Sequence, residues 1–349
     1  MVLSGVGDAL AYKNGEWEFA RRGEVIYEEL LRLGGLSKVV LDPKHFMVSD
    51  DTVMQIATAE GLVSAWQEAP NPLQQLFLNV AGKYKDCMRD MAGRAPGNTC
   101  KAGCSKLKPF TPNGYIIPFN PKGGGAGAAM RALPIGIFFA SPDQMEDLTQ
   151  VAIECGRMTH NNPIGFLGSF ASALFMSFAI QGKPLREWGA ELMKAVDTKA
   201  LTYVRKVGRD VKEEEFTKSW QLFTDKWNSY LEERGIADGH SDPVFPEKFG
   251  FAERDAFYKK LSLNKWGGSC GHDAPMIAYD ALLGARDNWE ELCYRAMIHG
   301  GDSDTTGILA GGLWGAVHGF QDVPNNLYEK LEYHDRLTKL ADAILAKQQ

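Results

Sequence analysis

Glycine returns every fourth residue at positions 307, 311, 315 and 319, through the apolar stretch Ile308 to Phe320. A step of four stacks side chains on one helix face, so this periodicity predicts a helix with a bare stripe. Glycine inside a helix costs on the order of 1 kcal/mol per position against alanine. Four in register therefore imply that a second helix packs on the stripe at close range. Directly ahead of it stands His299-Gly300-Gly301-Asp302-Ser303-Asp304-Thr305-Thr306. Asp302 and Asp304 are two apart, and in extended backbone that spacing aims both side chains the same way. Two carboxylates aimed at one point repel unless a cation or a proton lies between them. A helix cap needs a single Asp or Ser, and this stretch holds several.

The rest of the chain reads as helix. Val2 to Tyr12 is small and apolar enough for a buried helix closing near Asn14-Gly15, and Glu24 to Leu33 has helical spacing stopped by Gly34-Gly35. Val48-Ser49-Asp50-Asp51-Thr52 opens another helix, with Val53, Ile56, Ala57, Leu62, Val63 and Trp66 on its apolar face, and Asn71 to Met91 supplies the next. Residues 97–127, with four prolines and many glycines, read as a long surface loop, and loops of that length are usually functional. Further helices are expected at 128–138, 142–159, 164–181, 185–194, 212–234, 274–283, 288–298, 305–319 and 325–347, with a loop at 236–250. Period-two alternation and hairpin turn signals are nearly absent. The expectation is one all-α domain over residues 1–349.

A formal net charge of -6 and the lack of any dense Lys/Arg run argue against a nucleic-acid backbone binder. No run of eighteen apolar residues is unbroken, so no membrane span is expected. The start of the chain lacks the basic flank and long apolar core of a signal peptide. Six cysteines in 349 residues do not suggest a disulfide framework, so free thiols and a cytoplasmic location are expected. Cys100 and Cys104 have no second Cys/His pair of matching spacing, so the sequence gives no reason to place zinc there.

Ser49-Asp50-Asp51-Thr52 is a second acidic cluster with the chemistry of the first: aspartates mixed with hydroxyls at a helix start, with no His or Cys. Oxygen-only ligation suits Mg²⁺ or Mn²⁺ ahead of Ca²⁺, and argues against zinc or copper. Four carboxylates exceed what one Mg²⁺ usually takes from protein, which makes two ions holding a bridging water the natural arrangement.

These clusters, together with Gly156-Arg157-Met158-Thr159-His160, Gly125-Ala126-Gly127-Ala128-Ala129-Met130-Arg131 and Gly271-His272-Asp273-Ala274-Pro275-Met276-Ile277-Ala278-Tyr279-Asp280, resemble the ADP-ribosylarginine hydrolases. The resemblance runs in order over nearly the whole chain; one departure is Ala11, where the family commonly has glycine. It implies an orthogonal multi-helical bundle, two Mg²⁺ ions and removal of ADP-ribose from arginine side chains. By resemblance the metal ligands are Ser49, Asp50, Asp51, Asp302, Asp304 and Thr305. A vertebrate paralogue similar in its middle and end has lost carboxylates in both clusters; this chain keeps all four.

Cleavage of the bond from the anomeric carbon to the guanidinium builds oxocarbenium character on the ribose, so the site must orient ribose hydroxyls and supply a water. Asp50 and Asp51 are the candidates for holding that water, one of them taking its proton. Gly123-Gly124-Gly125, ahead of a helix from about Ala128, offers backbone amides for the pyrophosphate. By resemblance His160 is expected near the ADP-ribose. Trp266 and the Gly267-Gly268 turn are expected to wall the ribose or adenine, and Ser269, Gly271 and Ser303 to bind substrate, while His299 and Arg131 read as structural supports. The partner the resemblance implies is the ADP-ribose of arginine-modified proteins, and the protein is expected to be a monomer. Two alternatives remain: a hydrolase of serine-linked or free ADP-ribose derivatives, and a binding module without turnover.

Overall fold

The computed structural model describes residues 1–67, 73–209 and 212–346. Among them sixteen α-helices run in order: α1 Val2–Tyr12, α2 Gly23–Arg32, α3 Asp50–Gln67, α4 Leu73–Cys87, α5 Asn98–Lys106 and α6 Leu133–Phe138. Next come α7 Met145–Arg157, α8 Pro163–Ile180, α9 Trp188–Ala195, α10 Leu201–Val207 and α11 Glu213–Glu233. The last five are α12 Phe251–Leu261, α13 Asp273–Ala285, α14 Trp289–Ala296, α15 Ser303–His318 and α16 His334–Leu345. The described residues form no strand, only the isolated bridges Gly125 to Cys270 and Gly267 to Gly301. The fold is all-α. Asn71, and the side chain of Trp66, lie outside the described part.

α1 is the helix that the glycine stripe receives. Every residue of α1 is buried. A Cβ on Gly7 would fall 2.0 Å from the Gly307 carbonyl oxygen, and one on Gly311 would fall 2.2 Å from that of Leu3. Backbone thus meets backbone, which only glycine allows. Gly315 meets the Leu3 side chain at ordinary distance, and Gly319 is no part of the stripe: with φ +64° it ends the helix.

α8 is the second axis of the core. Asn162 caps it by accepting from the Ile164 amide at 3.0 Å, and Pro163 fills the first turn. It is long and apolar enough to cross a bilayer, yet 94% of its apolar window is buried inside the protein. Its hydrophobicity is satisfied by the core.

Four expectations change. The segment 97–127 is not loop throughout, because it begins with α5, whose Cys100, Gly103 and Cys104 face inward. Spacing of three and four on small residues carries too little hydrophobicity to stand out. The expected helix 128–138 is a 3₁₀ turn, Ala126–Ala128, followed by the short α6. Pro134 has no N–H for the Met130 carbonyl, so one continuous helix would lose that bond. α10 and α12 lie outside the expected helices. α12 buries Arg254 and Asp255 beside Phe257, Tyr258 and Leu261, and those charges hide its apolar face. Finally, 325–347 divides into a 3₁₀ turn at Asn325–Leu327 and α16, with Tyr333 in the left-handed region between them.

Candidate active site

Both acidic clusters are helix starts, and the fold brings the two starts together. Asp8, in the buried interior of α1, accepts the Ser49 amide and the Thr52 amide at 3.1 Å each, and the Thr52 hydroxyl as well. The Asp51 amide donates to Ser49 Oγ at 3.1 Å, so Ser49 caps α3 while Asp8 clamps its first turn from outside. On the other side Asp302 precedes α15, and Asp304 and Thr305 lie in its first turn. The Asp302 amide donates to the Gly267 carbonyl at 2.8 Å, and the Gly300 amide to Asp255 at 2.7 Å. Thr305 Oγ1 then donates to Asp51 Oδ2 at 2.9 Å, joining segments 254 residues apart.

Between these starts lies a cleft of about 190 Å³ lined by Glu18, Asp50, Asp51, Asp302, Asp304 and Thr305, and by Asn98, Thr99, Gly125, His160 and Ser269. Burial, and then repulsion among the carboxylates, raises every one of these acids. Asp50 is pushed up to about 8 and Asp302 to about 6. Asp51 and Asp304 stand well above the ordinary value of 3.8, again through burial and then neighbouring aspartates. Oxygen is the only donor type these acids and Thr305 supply, and the charge is of one sign, so the cleft fits hard divalent cations.

Sequence reasoning missed two of the acids here. Asp8 left a signal, a lone charge in an otherwise apolar helix. Glu18 left none. It follows the buried Trp17, whose indole donates to Glu29 at 3.0 Å, and that anchor turns Glu18 toward the cleft. Glu18 Oε2 is buried without a partner, and oxygens of Glu18, Asp302 and Asp304 lie within 4.8 Å of one another. Burial and the nearby aspartates push its carboxyl up to about 11.

Of the residues expected to bind substrate, Gly125, His160 and Ser269 line the cleft. Arg131 Nη2 donates to Thr159 Oγ1 at 2.7 Å, leaving the threonine hydroxyl to donate to His160 Nδ1 at 2.8 Å. Nε2 then carries the ring proton, and burial beside Arg131 keeps the ring neutral with a pKa of about 3. Arg131 is the expected support, stacked 4.2 Å over Tyr84, and so is His299, which donates to Thr306 Oγ1 at 2.8 Å. Gly123, Gly124, Gly271, Trp266 and Ser303 are not in the cleft wall. A Cβ on Gly271 would fall 2.1 Å from the Ile164 carbonyl oxygen, so that glycine serves close packing against α8. Gly123 sits against Asn120 and Gly124 against Ile164. The indole of Trp266 instead carries Arg21 at 5.7 Å, and Ser303 is fully buried. No α-helix starts at Ala128, and the Ala126 amide is already used by the Ser269 carbonyl at 3.0 Å.

The family profile of the ADP-ribosylglycohydrolases matches residues 1–349. The chain belongs to that family. It is 39% identical to the ADP-ribosylhydrolase ARH1 of Dictyostelium discoideum over 99% of this chain and 92% of that protein. It is also 25% identical to the ADP-ribosylhydrolase ARH3 of Gallus gallus, over 85% of this chain and 77% of that one. A solved ADP-ribosylglycohydrolase-related protein complex shares the fold, with a TM-score of 0.60 at 19% identity, covering 99% of this chain and 95% of its own. Family membership supports hydrolysis of ADP-ribosyl linkages by this chain, with the ADP-ribose moiety as the group recognised.

Proposed function

We propose that the protein is a Mg²⁺-dependent hydrolase that releases arginine side chains from mono-ADP-ribose. The observation that carries this reading is the convergence of five carboxyls, Glu18, Asp50, Asp51, Asp302 and Asp304, on one cleft. Asp50, Asp51, Asp302, Asp304 and Thr305 would hold two ions, with Ser49 at the start of α3 completing the set. A bound pair supplies polarisation of ribose hydroxyls and a water acidic enough to ionise near neutrality. Two divalent ions balance the four aspartates, and a cationic guanidinium beside Glu18 would favour ionising that fifth carboxyl, which a neutral serine would not. The Met158-Thr159-His160 and Trp266-Gly267-Gly268 stretches support the same branch.

In this mechanism Asp50 and Asp51 orient the attacking water, and one of them takes its proton as oxocarbenium character develops on the ribose. Ser269 and the Gly125 backbone border the ADP-ribose, and His160 offers its Nε2 proton to an acceptor oxygen. The work is mainly positioning inside a buried, preorganised wall. The test is release of ADP-ribose from ADP-ribosyl-arginine and ADP-ribosyl-serine, each with Mg²⁺ and with excess EDTA. We expect turnover of the arginine conjugate in Mg²⁺ only. Full activity in EDTA overturns the metal reading, and preference for the serine conjugate overturns the arginine one.

A further inference from the structure

Behind the cleft wall, at the start of α13, Cys270, His272 and Asp273 each present a ligand atom within 4.8 Å of the others, all buried. This cluster differs in kind from the oxygen site beside it, for it offers sulfur, nitrogen and oxygen together. The His272 tautomer is fixed by its surroundings. Its Nε2 proton goes to the Leu261 carbonyl at 3.0 Å, so Nδ1 bears a lone pair, and that buried nitrogen has no partner. Asp273 accepts the Cys270 amide on Oδ1 at 2.8 Å, while Oδ2 is buried without a hydrogen-bond partner. Both side chains are fully buried. Two buried polar atoms left without partners at one place are a standing cost unless something fills the gap.

We propose that Cys270, His272 and Asp273 form a site for a thiophilic divalent cation of the zinc class. A histidine that ligates metal through one nitrogen and donates the other N–H to a backbone carbonyl is the usual supporting arrangement. Ligand atoms around a tetrahedral ion at roughly 2.0–2.3 Å lie about 3.3–3.8 Å apart, so the cluster needs to contract by at most about 1–1.5 Å. The Ser262 and Ser269 hydroxyls, each 3.9 Å from Cys270 Sγ, stand where a fourth oxygen ligand or a water would be held. Binding ionises the Cys270 thiol, whose proton leaves to solvent. The ion would also tie down the strip that borders the ADP-ribose, because Cys270 pairs with Gly125 and the Gly271 amide donates to the Gly124 carbonyl at 3.0 Å.

Co²⁺ is the probe, added to the full chain that has been freed of metal. We expect a Co²⁺ with tetrahedral d–d absorption and a thiolate-to-cobalt charge-transfer band, a signature that Co²⁺ held by the oxygen-only cleft does not give. Cys270→Ser should abolish the band, whereas Asp51→Asn and Cys100→Ser should retain it. Because Asp51 belongs to the oxygen site, failure of the Mg²⁺ reading would leave this result untouched. In the unmodified protein, Zn²⁺ should slow alkylation of Cys270 at least tenfold, read by mass spectrometry, without protecting the half-buried Cys87. This holds the test open even if Cys270→Ser does not fold. No charge-transfer band, a band that survives Cys270→Ser, or unchanged Cys270 alkylation overturns the proposal.

Discussion

Asp280 in the middle of α13 and Asp304 at the head of α15 are both buried, and they are accommodated by opposite means. Asp280 accepts Arg234 Nε at 2.6 Å and the Tyr230 hydroxyl at 3.1 Å. The Arg234 guanidinium lies in turn 4.5 Å over Phe245 and 4.3 Å over Phe257, a dry box around one neutralised pair. Asp304 faces Asp302 and Asp51, with Asp50 and Glu18 beside them and no arginine among the cleft's lining residues. Burial raises it, and the neighbouring acids add to that. The first region spends charge on holding helices together. The second stores like charge in a place where only an external cation or protons can balance it, which is how a site differs from a strut.

The sharpest way to break this comparison is activity. Asp51→Asn and Asp304→Asn should each lower kcat/KM for ADP-ribosyl-arginine by about 10³-fold, and the double variant should fall little further, since a unit is lost once. Asp280→Asn should leave kcat/KM per folded molecule within about twofold. Additive losses in the double variant would show two independent residues in place of one metal-holding unit.

Stability should rank the same residues the other way. Asp280→Asn strands the Arg234 charge and should cost about 3–5 kcal/mol in urea melts, equally with Mg²⁺ and with EDTA. Asp304→Asn in EDTA should melt no lower than wild type, because it removes repulsion. A drop for Asp304→Asn that is the same in both buffers would make Asp304 a structural cap.

pH sharpens the contrast. Asp302 and Asp50 titrate near 6 and 8 in the folded protein and near 3.8 when unfolded. Between those values the folded state binds more protons, so metal-free stability is greatest at low pH and falls as pH rises toward about 8. The slope is at most about 1.4 kcal/mol per pH unit per proton. Melting temperatures in EDTA at pH 5 and pH 8 check it, and Mg²⁺ should recover most of the loss at pH 8. A metal-free protein equally stable at both would place those aspartates in the ordinary range.

The smallest effects belong to the glycine stripe. Gly311→Ala drives a Cβ onto the Leu3 carbonyl and should destabilise by about 1–3 kcal/mol. Gly315→Ala, whose nearest neighbour is 3.5 Å away, should stabilise by up to about 1 kcal/mol through helix propensity. Equal effects in thermal melts would mean that α1 does not press on α15 at Gly311.

Much of this was legible in the chain itself. The four-residue glycine step, the two Asp-hydroxyl clusters and the scarcity of period-two patterns determined an all-α fold with a tightly crossed helix and acidic helix starts. Those are local signals: spacing along one helix, or residues adjacent in one turn. Only the tertiary structure decided that α1 is the helix on the stripe, that Asp8 clamps α3, and that Thr305 reaches Asp51. It also decided that Glu18 enters the cleft while Gly123, Gly124, Gly271, Trp266 and Ser303 lie outside its wall. A side chain's role there depends on what lies opposite it in space. For Glu18 that means acids almost three hundred residues away, a relation no spacing in the sequence encodes.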